Sequence, residues 1–333
     1  MKYFVTGATG FIGSRLVRGL VERGDEVTAL VRDPGRAEDL KGPGVTLVRG
    51  DITDRASLRT PMEGADGVFH LAAWYKIGVK DRGAAEKINV EGTRNVLETM
   101  RDLGIRKGVY TSTLAVFSDT RGKLVDETYR FEGRHLSVYD RTKWRAHYEV
   151  ALPMIREGLP LVIVQPGVVY GPGDHSEVGK ALELYLKKKL PLIPTRTAFS
   201  WAHVDDVAEG HLLAMDKGRP GESYILAGPA HTMAEALGTA EALTGIRASR
   251  LHAPPWLMRA NSMLVKPLEW ALPLPPAYTS EGLRVAAGTT YIGDNAKARR
   301  ELGYHPRPLK EGLRETLAAM MERMGISEGE GRT

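Results

Sequence analysis

The sequence predicts an α/β protein with a Rossmann-type, doubly wound parallel sheet and a smaller, mostly helical C-terminal substrate lobe. Short apolar runs of strand length alternate with amphipathic helical patterns through the first half of the chain. Strands that alternate with helices form parallel sheets with right-handed crossovers and helices on both faces. The first apolar run ends in a glycine-rich turn, Gly7, Gly10 and Gly13, and a helical pattern follows at once.

This opening turn predicts a dinucleotide site. Gly7 allows a tight turn, Gly10 lets the backbone approach a ligand, and Gly13 lets the helix pack closely on the strand. Free N–H groups in the first helical turn and the positive end of the helix dipole suit a pyrophosphate. The glycine spacing alone is a weak signal, and the strand before it and the helix after it make it specific.

The remaining elements follow from the spacing of apolar residues. Further strands are predicted at residues 26–31, 45–48, 68–73, 108–112, 161–164, 199–204 and 224–226. Helices are predicted at residues 11–23, 90–103, 138–157 and 177–189, and from 205 through 215. Because regularity loosens beyond Gly171, we expect a dinucleotide-binding domain at 1–172, to which residues 199–228 return. A substrate-binding lobe at 173–198 and 229–325 and a frayed tail at 326–333 complete the prediction.

Composition narrows the class of protein. The chain has 333 residues, more than one hydrophobic core usually supports. It contains no cysteine, which excludes disulfides and thiolate metal sites. A formal net charge of +5 favours an anionic ligand, and a phosphate-rich cofactor explains it. Nucleic-acid binding requires a basic stripe with interleaved aromatic residues, whereas Lys187–Lys189 and scattered arginines indicate solvated surface.

No uncharged run is long enough to span a bilayer, and the amino terminus lacks the pattern of a signal peptide. The apolar segment 254–278 is interrupted by Lys266 and Glu269, and it predicts a helical lid or a subunit contact. We therefore expect a cytoplasmic protein that binds a small-molecule substrate and has neither a nucleic-acid nor a membrane partner.

The end of the second strand bears on the choice of cofactor. Arginine at this point accommodates the 2′-phosphate of NADP, whereas an acidic residue accepts from the 2′-hydroxyl of NAD. Val31 ends the strand, Arg32 follows, and Asp33 comes one position late, which favours NADP. Arg36 offers a second phosphate contact. In the alternative, Arg32 is solvated and Asp33 binds NAD.

Acidic residues at two other element ends allow either a ligand contact or a helix cap. Asp51 is placed to accept from the adenine amino group, or else it caps a helix near residues 54–59. His203, Asp205 and Asp206 resemble metal ligands, but their spacing suits a strand end followed by a helix that Asp205 or Asp206 caps. We expect no metal.

Tyr139 and Lys143 form the second strong pattern, because residues four apart share one face of a helix. A phenol has a reference pKa of about 10, too high for proton transfer near neutrality. A lysine cation one turn away, together with an oxidised nicotinamide, is expected to lower that pKa. Ser137 and Asp140 form a possible capping box, so the helix should begin just before Tyr139.

An ordinary exposed Tyr/Lys pair is the alternative, and a hydroxyl cluster argues against it. Thr111, Ser112 and Thr113 end the preceding strand. Ligands of open α/β sheets bind at the carboxyl ends of the strands, so a hydroxyl there can hold a substrate oxygen against Tyr139.

At this point the chain resembles the extended short-chain dehydrogenase/reductases of the NAD-dependent epimerase/dehydratase superfamily, and within them the dihydroflavonol 4-reductase-like branch, which uses NADPH. The matching segments are Thr6–Gly13, Gly50–Asp54, His70–Ala73, Asn89–Asn95, Thr111–Thr113, Tyr139 with Lys143, Pro166–Gly171, His203–Asp206 and Asp294–Pro306.

The resemblance implies a role for each matching position. Tyr139 would be the general acid/base, Lys143 would bind the nicotinamide ribose, and Thr113 would be the catalytic hydroxyl, supported by Ser112. Asn89 would brace the sheet or a water chain near the site. The expected cofactor contacts, from pattern and resemblance together, are Gly7, Thr9, Gly10, Phe11, Ile12, Gly13, Arg32, Arg36, Asp51, Ile52, Leu71, Ala72, Ala73, Lys143, Pro166, Gly167 and Val169.

Departures from the family pattern bear on the substrate. Thr113 replaces the usual serine, Gln165 replaces an arginine, and residues 194–203 lack the arginine–aspartate pair of many nucleotide-sugar epimerases. Trp74, Tyr75 and Lys76 follow the fourth strand, and together with the loop at 118–137 and the apolar segment 254–278 they indicate a fairly hydrophobic pocket. The expected substrate contacts are Trp74, Tyr75, Ser112 and Thr113. Lobe packing is the alternative for each aromatic side chain.

The sequence therefore predicts an NAD(P)-dependent oxidoreductase that transfers a hydride between nicotinamide and a carbonyl or secondary alcohol, with NADP preferred and NAD possible. A nucleotide-sugar epimerase/dehydratase with transient hydride transfer is the alternative. A non-catalytic NADP-sensing or scaffold protein would be expected to have lost the tyrosine or the lysine. The resemblance also implies a homodimer, formed through the helix at 90–103 and the helix that carries Tyr139.

Overall fold

A computed structural model describes residues 1–76, 78, 83–269 and 274–326. The strands are β1 Lys2–Thr6, β2 Glu26–Val31, β3 Val45–Arg49, β4 Gly67–His70, β5 Gly108–Thr111, β6 Leu161–Pro166, β7 Val168–Tyr170, β8 Ile193–Pro194, β9 Ala198–His203, β10 Ser223–Leu226, β11 Ala230–Thr232, β12 His252–Ala253 and β13 Thr290–Tyr291.

The α-helices alternate with these strands through the first half of the chain. They are α1 Phe11–Glu22, α2 Arg59–Met62, α3 Gly83–Glu86, α4 Thr93–Asp102, α5 Val138–Arg145, α6 Leu152–Arg156, α7 Glu177–Leu186, α8 Val204–Lys217, α9 Met233–Thr244, α10 Pro255–Val265, α11 Ser280–Ala286, α12 Ala296–Leu302 and α13 Leu309–Met324. Two π-helical segments, Lys87–Gly92 and Ala146–Ala151, join α3 to α4 and α5 to α6.

Seven parallel strands form the central sheet in the order β10-β6-β5-β4-β1-β2-β3. The chain runs outward from β1 through β2 to β3 and then returns to β4 on the other side of β1. The strand order therefore reverses between β1 and β4, which is the point where such folds bind their ligands. The predicted Rossmann-type fold class is confirmed.

Each face of the sheet has its own apolar core. On one face, Leu16 and Leu20 of α1 pack with Ala214 of α8 and Leu302 of α12. On the other face, α4 and the continuous helix through α5 and α6 share a core. Its members include Val96, Leu97, Met100, Val150, Ala151 and Met154. This double cover explains why the strands read as nearly continuous apolar runs.

The predicted returning segment, 199–228, is divided between two sheets. β10 extends the central sheet beyond β6, and α8 packs against α1. β9 instead joins a second sheet with β7, β11 and β13, because Phe199 and Trp201 pack in a third core with Tyr170 and Tyr185. The domain boundaries themselves stay a prediction.

The apolar segment predicted at 254–278 contains α10, and its residues 270–273 lie outside the described part of the chain. The predicted tail also lies outside it, except for Ile326. Among the helices that the structure describes, none combines the length and the apolar character needed to cross a bilayer.

The contact between α1 and the first turn yields a stability prediction. A Cβ added at Gly13 would lie 2.1 Å from the Gly7 carbonyl oxygen, so Gly13→Ala must displace backbone. We expect this substitution to lower the free energy of unfolding by about 1–3 kcal/mol, measured by urea denaturation. Gly238→Ala is the control, because nothing lies within 4 Å of its Cβ in α9, and it should leave stability unchanged or raise it. Equal effects of both substitutions would contradict the assigned constraint.

Candidate active site

The glycine-rich turn forms a cradle at the carboxyl end of β1. Gly7 has φ +74°, and a Cβ there would lie 2.6 Å from the backbone nitrogen of Ala72, just beyond β4. α1 begins after Gly10 with no side-chain cap and no acidic residue in its first turn. Its free N–H groups can therefore bind an anion, and Thr9 and Gly10 are exposed beside them.

The predicted residues of the cradle have distinct environments. Phe11 and Ile12 are half-buried, while Gly13 is buried. Arg15, which the sequence analysis did not single out, donates to the Phe11 carbonyl at 3.1 Å and pairs with Asp205 at 3.2 Å. It therefore ties the start of α1 to the start of α8.

The end of β2 leaves an arginine available. Arg32 is exposed and forms no hydrogen bond or ion pair with any residue that the structure describes. Asp33 is engaged instead, because it accepts from the Gly35 backbone nitrogen at 3.0 Å and pairs with Arg36 at 3.5 Å. The Asp33 carboxylate thus caps the turn Pro34–Arg36, and Arg36 is 90% exposed.

Asp51 and Ile52 lie at the carboxyl end of β3. Asp51 accepts from the Thr53 backbone nitrogen at 2.8 Å, whereas Asp54 caps the turn Arg55–Ser57. The alternative role of Asp51 as that helix cap is therefore wrong. The Ile52 side chain is buried against Gly92, so only its backbone is left for a cofactor contact.

Tyr139 and Thr113 come together above the end of β5. Both residues are half-buried, and the Thr113 hydroxyl lies close enough to the Tyr139 phenol to lower the pKa of that phenol. Thr113 also accepts from the Ala115 backbone nitrogen at 3.1 Å, which fixes its side chain at the start of the turn Leu114–Phe117. Of the predicted hydroxyl cluster Thr111–Thr113, Thr113 is therefore the residue that lies beside Tyr139.

Ser112 points elsewhere. It is 3% exposed, and its hydroxyl lies 2.9 Å from Nδ1 of His147. Both residues follow the end of β5, and they separate because Thr113 caps the turn Leu114–Phe117 while the Ser112 side chain is buried beside His147. The predicted substrate contact by the Ser112 hydroxyl is not what the structure presents.

Lys143 is 2% exposed and lies over the ring of Tyr110, with Nζ 4.8 Å from the ring centroid. Its Nζ donates to the Thr111 carbonyl oxygen at 2.8 Å and to the Tyr110 hydroxyl at 3.2 Å. Burial lowers the pKa of Lys143 to about 7. Burial also raises the pKa of Tyr139, while the neighbouring Thr113 hydroxyl opposes that rise. The expected lowering of the phenol pKa is therefore absent from the protein chain by itself, where burial outweighs any effect of the lysine.

A buried polar row continues from Tyr110 toward the glycine-rich turn. The ring of His70 stacks on Tyr110 with centroids 5.5 Å apart. Its Nδ1 lies 2.7 Å from the Thr6 hydroxyl and its Nε2 lies 3.1 Å from the Thr93 hydroxyl. Thr6 in turn accepts from the Ala72 backbone nitrogen at 3.2 Å. Burial, with a smaller contribution from the Lys143 cation, lowers the pKa of His70 to about 3, so the imidazole is neutral.

Sequence reasoning missed this row, although a signal was present. Thr6, His70 and Tyr110 are polar residues at the ends of three apolar strands. In the sheet they are direct neighbours, since Thr6 pairs with His70 and His70 pairs with Tyr110. Polar side chains at matching ends of buried parallel strands would have indicated one shared network.

Asn89 joins the loop after β4 to the catalytic helix. Its Oδ1 accepts from the Trp74 backbone nitrogen at 2.7 Å, and its Nδ2 donates to the Trp74 carbonyl oxygen at 3.1 Å. Nδ2 also donates to the Thr142 hydroxyl at 2.9 Å. Asn89 is 1% exposed and lies in the first π-helical segment. Asn89 therefore holds the loop after β4 against the catalytic helix, while the role expected from the resemblance stays a prediction.

The mouth of the site contains the predicted aromatic residue Tyr75. Its ring meets the ring of Tyr139 edge-on at 4.9 Å between centroids, and the side chain is 51% exposed. Leu71, Ala72 and Trp74 are half-buried, whereas Ala73 is exposed. The loop after β4 therefore lies beside both the glycine-rich turn and Tyr139.

The remaining predicted cofactor residues follow β6. Pro166 is buried at the strand end, while Gly167 and Val169 are half-buried. A Cβ at Gly167 would lie 2.1 Å from the Ser200 carbonyl oxygen, so the backbone passes close to β9 there. Gln165 is 1% exposed, and its amide atoms have no hydrogen-bond partner among the described residues.

Two residues of the predicted substrate-binding lobe, Glu281 and Tyr291, form hydrogen bonds with the first turn of the catalytic helix α5. Ser137 caps α5 by accepting from the Asp140 backbone nitrogen at 2.9 Å, which confirms the predicted start. The Asp140 carboxylate does not complete a capping box, because it accepts from the Ser137 and Tyr291 hydroxyls. Glu281 accepts from the Val138 backbone nitrogen at 2.8 Å. Burial raises the pKa of Asp140 to about 7.

His203, Asp205 and Glu315 each offer one ligand atom, and these atoms lie within 4.8 Å of one another, close enough to coordinate one metal ion. Both carboxylates, however, are paired with arginines. Arg15 pairs with Asp205, and Arg307 pairs with Glu315 at 2.8 Å. His203 itself caps α8 by accepting from the Asp205 backbone nitrogen at 3.4 Å. The predicted cap by Asp205 or Asp206 is therefore wrong, because both residues lie within the first turn of the helix.

The chain is similar to a known family of proteins. The model of the NAD dependent epimerase/dehydratase family matches residues 3–227. A putative dihydroflavonol 4-reductase of Synechocystis sp. is 34% identical over 95% of this chain and 93% of its own. Sterol demethylase protein B of Methylococcus capsulatus is 34% identical over 97% and 99%. The crystal structure of gox2253 superposes with a TM-score of 0.83 at 31% identity, covering 97% and 98%.

The chain belongs to the NAD dependent epimerase/dehydratase family. It is an NAD(P)-dependent oxidoreductase, and its relatives include proteins named as a putative dihydroflavonol 4-reductase, a ketoreductase and a cinnamoyl-CoA reductase. The predicted family, enzyme class and general function are confirmed, and a non-catalytic sensor or scaffold is set aside.

The three hydrogen bonds that join Asn89 to the Trp74 backbone and to the Thr142 hydroxyl form a clamp, and this clamp can be tested without an activity assay. Asn89→Ala removes three hydrogen bonds and leaves the Trp74 backbone groups and the Thr142 hydroxyl without that partner. We expect the free energy of unfolding to fall by about 2 kcal/mol in urea denaturation, the usual range for an unsatisfied buried polar group. Asn261→Ala on the exposed side of α10 is the control and should change stability by less than about 0.5 kcal/mol. Equal stability of the two variants would contradict the clamp.

Proposed function

We propose that the protein is an NADPH-dependent reductase of a ketone with a largely apolar, ring-containing skeleton. The observation that carries the proposal is that the Thr113 hydroxyl and the Tyr139 phenol lie next to each other at the carboxyl end of β5. Two hydroxyls that face each other at the carboxyl end of β5 can bind one substrate oxygen together.

The residues present fit a dinucleotide. The cradle excludes any side chain at Gly7 and Gly13, and the uncapped start of α1 offers N–H groups to a pyrophosphate. Lys143 retains donor capacity for the ribose hydroxyls, because Nζ carries three protons when charged and uses two in the protein. When bound, the cofactor supplies the hydride that reduces the substrate carbon.

Arg32 supports a preference for NADP. The Arg32 guanidinium at the end of β2, which none of the described residues engages, is suited to a 2′-phosphate. Asp33 is the residue that would favour NAD, and its carboxylate already accepts from Gly35 and pairs with Arg36. Arg36 would help to keep the local charge positive.

Proton transfer is assigned to Tyr139. Its phenol, held neutral by burial, retains a proton at neutral pH and can donate it from Oη to the developing alkoxide. Thr113 orients the substrate oxygen through Oγ1, and Lys143 supplies positive charge near the phenolate that remains. Asn89 acts indirectly, because it positions Thr142 one residue before Lys143 in the same helix.

The substrate class follows from the mouth of the site. Tyr75 presents an exposed aromatic ring against Tyr139, and Trp74 lies next to it. The relatives' names refer to a dihydroflavonol and a sterol, both of which are ring compounds with large apolar surfaces. The absence from residues 194–203 of the arginine–aspartate pair also favours a substrate without a nucleotide.

A homodimer is also proposed, formed by α4 and the helix through α5 and α6. These helices lie side by side on one face of the sheet and share its core, which supports the four-helix arrangement that the resemblance implies. A cytoplasmic location stays a prediction from the sequence.

Tyr139→Phe tests the proton donor. We expect kcat to fall by roughly 100-fold or more, the usual contribution of a general acid, with little change in the Kd for NADPH. Loss of absorbance at 340 nm with a panel of cyclic and aromatic ketones gives the rate, and cofactor fluorescence gives the Kd. Tyr75→Phe is the matched control, since it keeps the aromatic contact, and it should retain most of the activity. Normal turnover by Tyr139→Phe would overturn the assignment.

Arg32→Ser tests cofactor selectivity. Loss of a charge-assisted bond to phosphate should raise the Kd for NADPH by about 10-fold or more and leave the Kd for NADH nearly unchanged. Arg18→Ser is the control, because Arg18 is also exposed but lies on the outer face of α1. An equal loss of affinity for both cofactors, or none for either, would refute the NADP preference.

A further inference from the structure

The outer side of α10 is an unusually apolar surface. Trp256 is 69% exposed, Met263 76% and Leu264 69%. Further exposed apolar side chains lie before, within and after the helix. They are Leu251, Leu257 and Leu268 respectively. Exposed apolar groups are common singly, but a contiguous patch of large side chains marks an interaction site.

Helical geometry shows that this patch is one face. Met258 and Ser262 are buried against the lobe, and the Ser262 hydroxyl donates to the Ser280 carbonyl oxygen at 2.8 Å. At 100° per residue, Trp256, Met263 and Leu264 lie on the opposite side of the helix. The helix therefore has one edge packed in the protein and a broad apolar arc in solvent.

Positive charge borders this arc. Arg259 and Lys266 lie together on one flank of the helix, and both are exposed. Residues 242–268 contain four lysine or arginine residues and no aspartate or glutamate. Of these four, Arg250 pairs with Glu241, whereas Arg259 and Lys266 form no ion pair in the described part of the chain.

A second basic element adjoins the same region. Lys187–Lys189 follow α7 and lead into β8, which pairs with β12 immediately before α10. The Ser249 hydroxyl donates to the Pro191 carbonyl oxygen at 3.0 Å, so the two segments are in contact. All three lysines are exposed, and no ion pair engages them within residues that the structure describes.

We propose that α10 and Lys187–Lys189 form a docking surface for an anionic lipid bilayer. Tryptophan, leucine and methionine side chains on a helix can insert at the headgroup boundary, while flanking lysine and arginine attract anionic lipid. The sequence analysis expected no membrane partner because no segment can span a bilayer. Surface docking requires no such segment.

Charge favours a bilayer over a second copy of the chain. A two-fold symmetric contact through this face would bring the same patch of each copy together, including its lysines and arginines. Those like charges would repel each other, since residues 242–268 and 187–189 offer no acidic partner. The inference concerns where the protein sits and does not depend on the proposed reaction.

Vesicle sedimentation of the full-length protein tests the surface. The wild-type protein should sediment with phosphatidylcholine vesicles that contain phosphatidylglycerol, and much less with pure phosphatidylcholine. The double variant Met263→Ser with Leu264→Ser should lower the partition coefficient by about tenfold or more, because two large apolar groups no longer insert. The double variant Arg259→Gln with Lys266→Gln should lower it by roughly tenfold, at low salt above all.

Leu124→Ser is the control, because Leu124 is 62% exposed in a loop away from α10 and should not affect sedimentation. Thermal melting by circular dichroism confirms that each variant is folded. The proposal is overturned if the wild-type protein ignores both kinds of vesicle, binds both equally, or binds as well with either double variant. It is also overturned if the apolar variant turns a dimer into a monomer in light scattering, since a second copy would then cover the face.

Discussion

The close approach of three backbone segments at the carboxyl edge of the sheet is the constraint on which the site depends. The turn at Gly7 passes directly beneath the backbone at Ala72, and α1 at Gly13 presses against the carbonyl of Gly7. Both contacts exclude a Cβ atom. They bring the uncapped start of α1 next to the loop after β4, and that loop carries Tyr75 to Tyr139. The glycine-rich cradle and the catalytic helix α5 therefore lie on either side of the loop after β4, at the carboxyl edge of the sheet.

A row of buried polar side chains connects the end of β1, where the cofactor cradle begins, to the catalytic helix α5. Thr6, His70 and Tyr110 are neighbours across three strands, and Lys143 ends the row. Such groups are costly to bury unless each finds a partner, and each does. The lysine is thereby held rigidly at the price of a lowered pKa. A ligand that accepts a hydrogen bond from the remaining N–H of Nζ would favour the charged form of the lysine.

The two π-helical segments change the direction in which their side chains leave the helix axis, compared with a regular α-helix. Asn89 lies in the first and clamps Trp74 to Thr142, and His147 lies in the second and meets Ser112. One extra residue in a helical turn shifts every later side chain around the axis, and such segments are frequent at functional sites. No local sequence pattern distinguishes them from ordinary helix.

Local patterns determined the parallel sheet, the glycine-rich turn and the start of α5. These features depend on residues near each other in the chain, through helical spacing, strand alternation and the need for glycine at a positive φ. Only the tertiary structure decided that Ser112 turns away toward His147, that Lys143 rests on Tyr110, and that α10 leaves an apolar face in solvent. Those outcomes depend on which distant segments share a core, because burial and hydrogen-bond partners are set by packing between elements rather than by the order of residues within one.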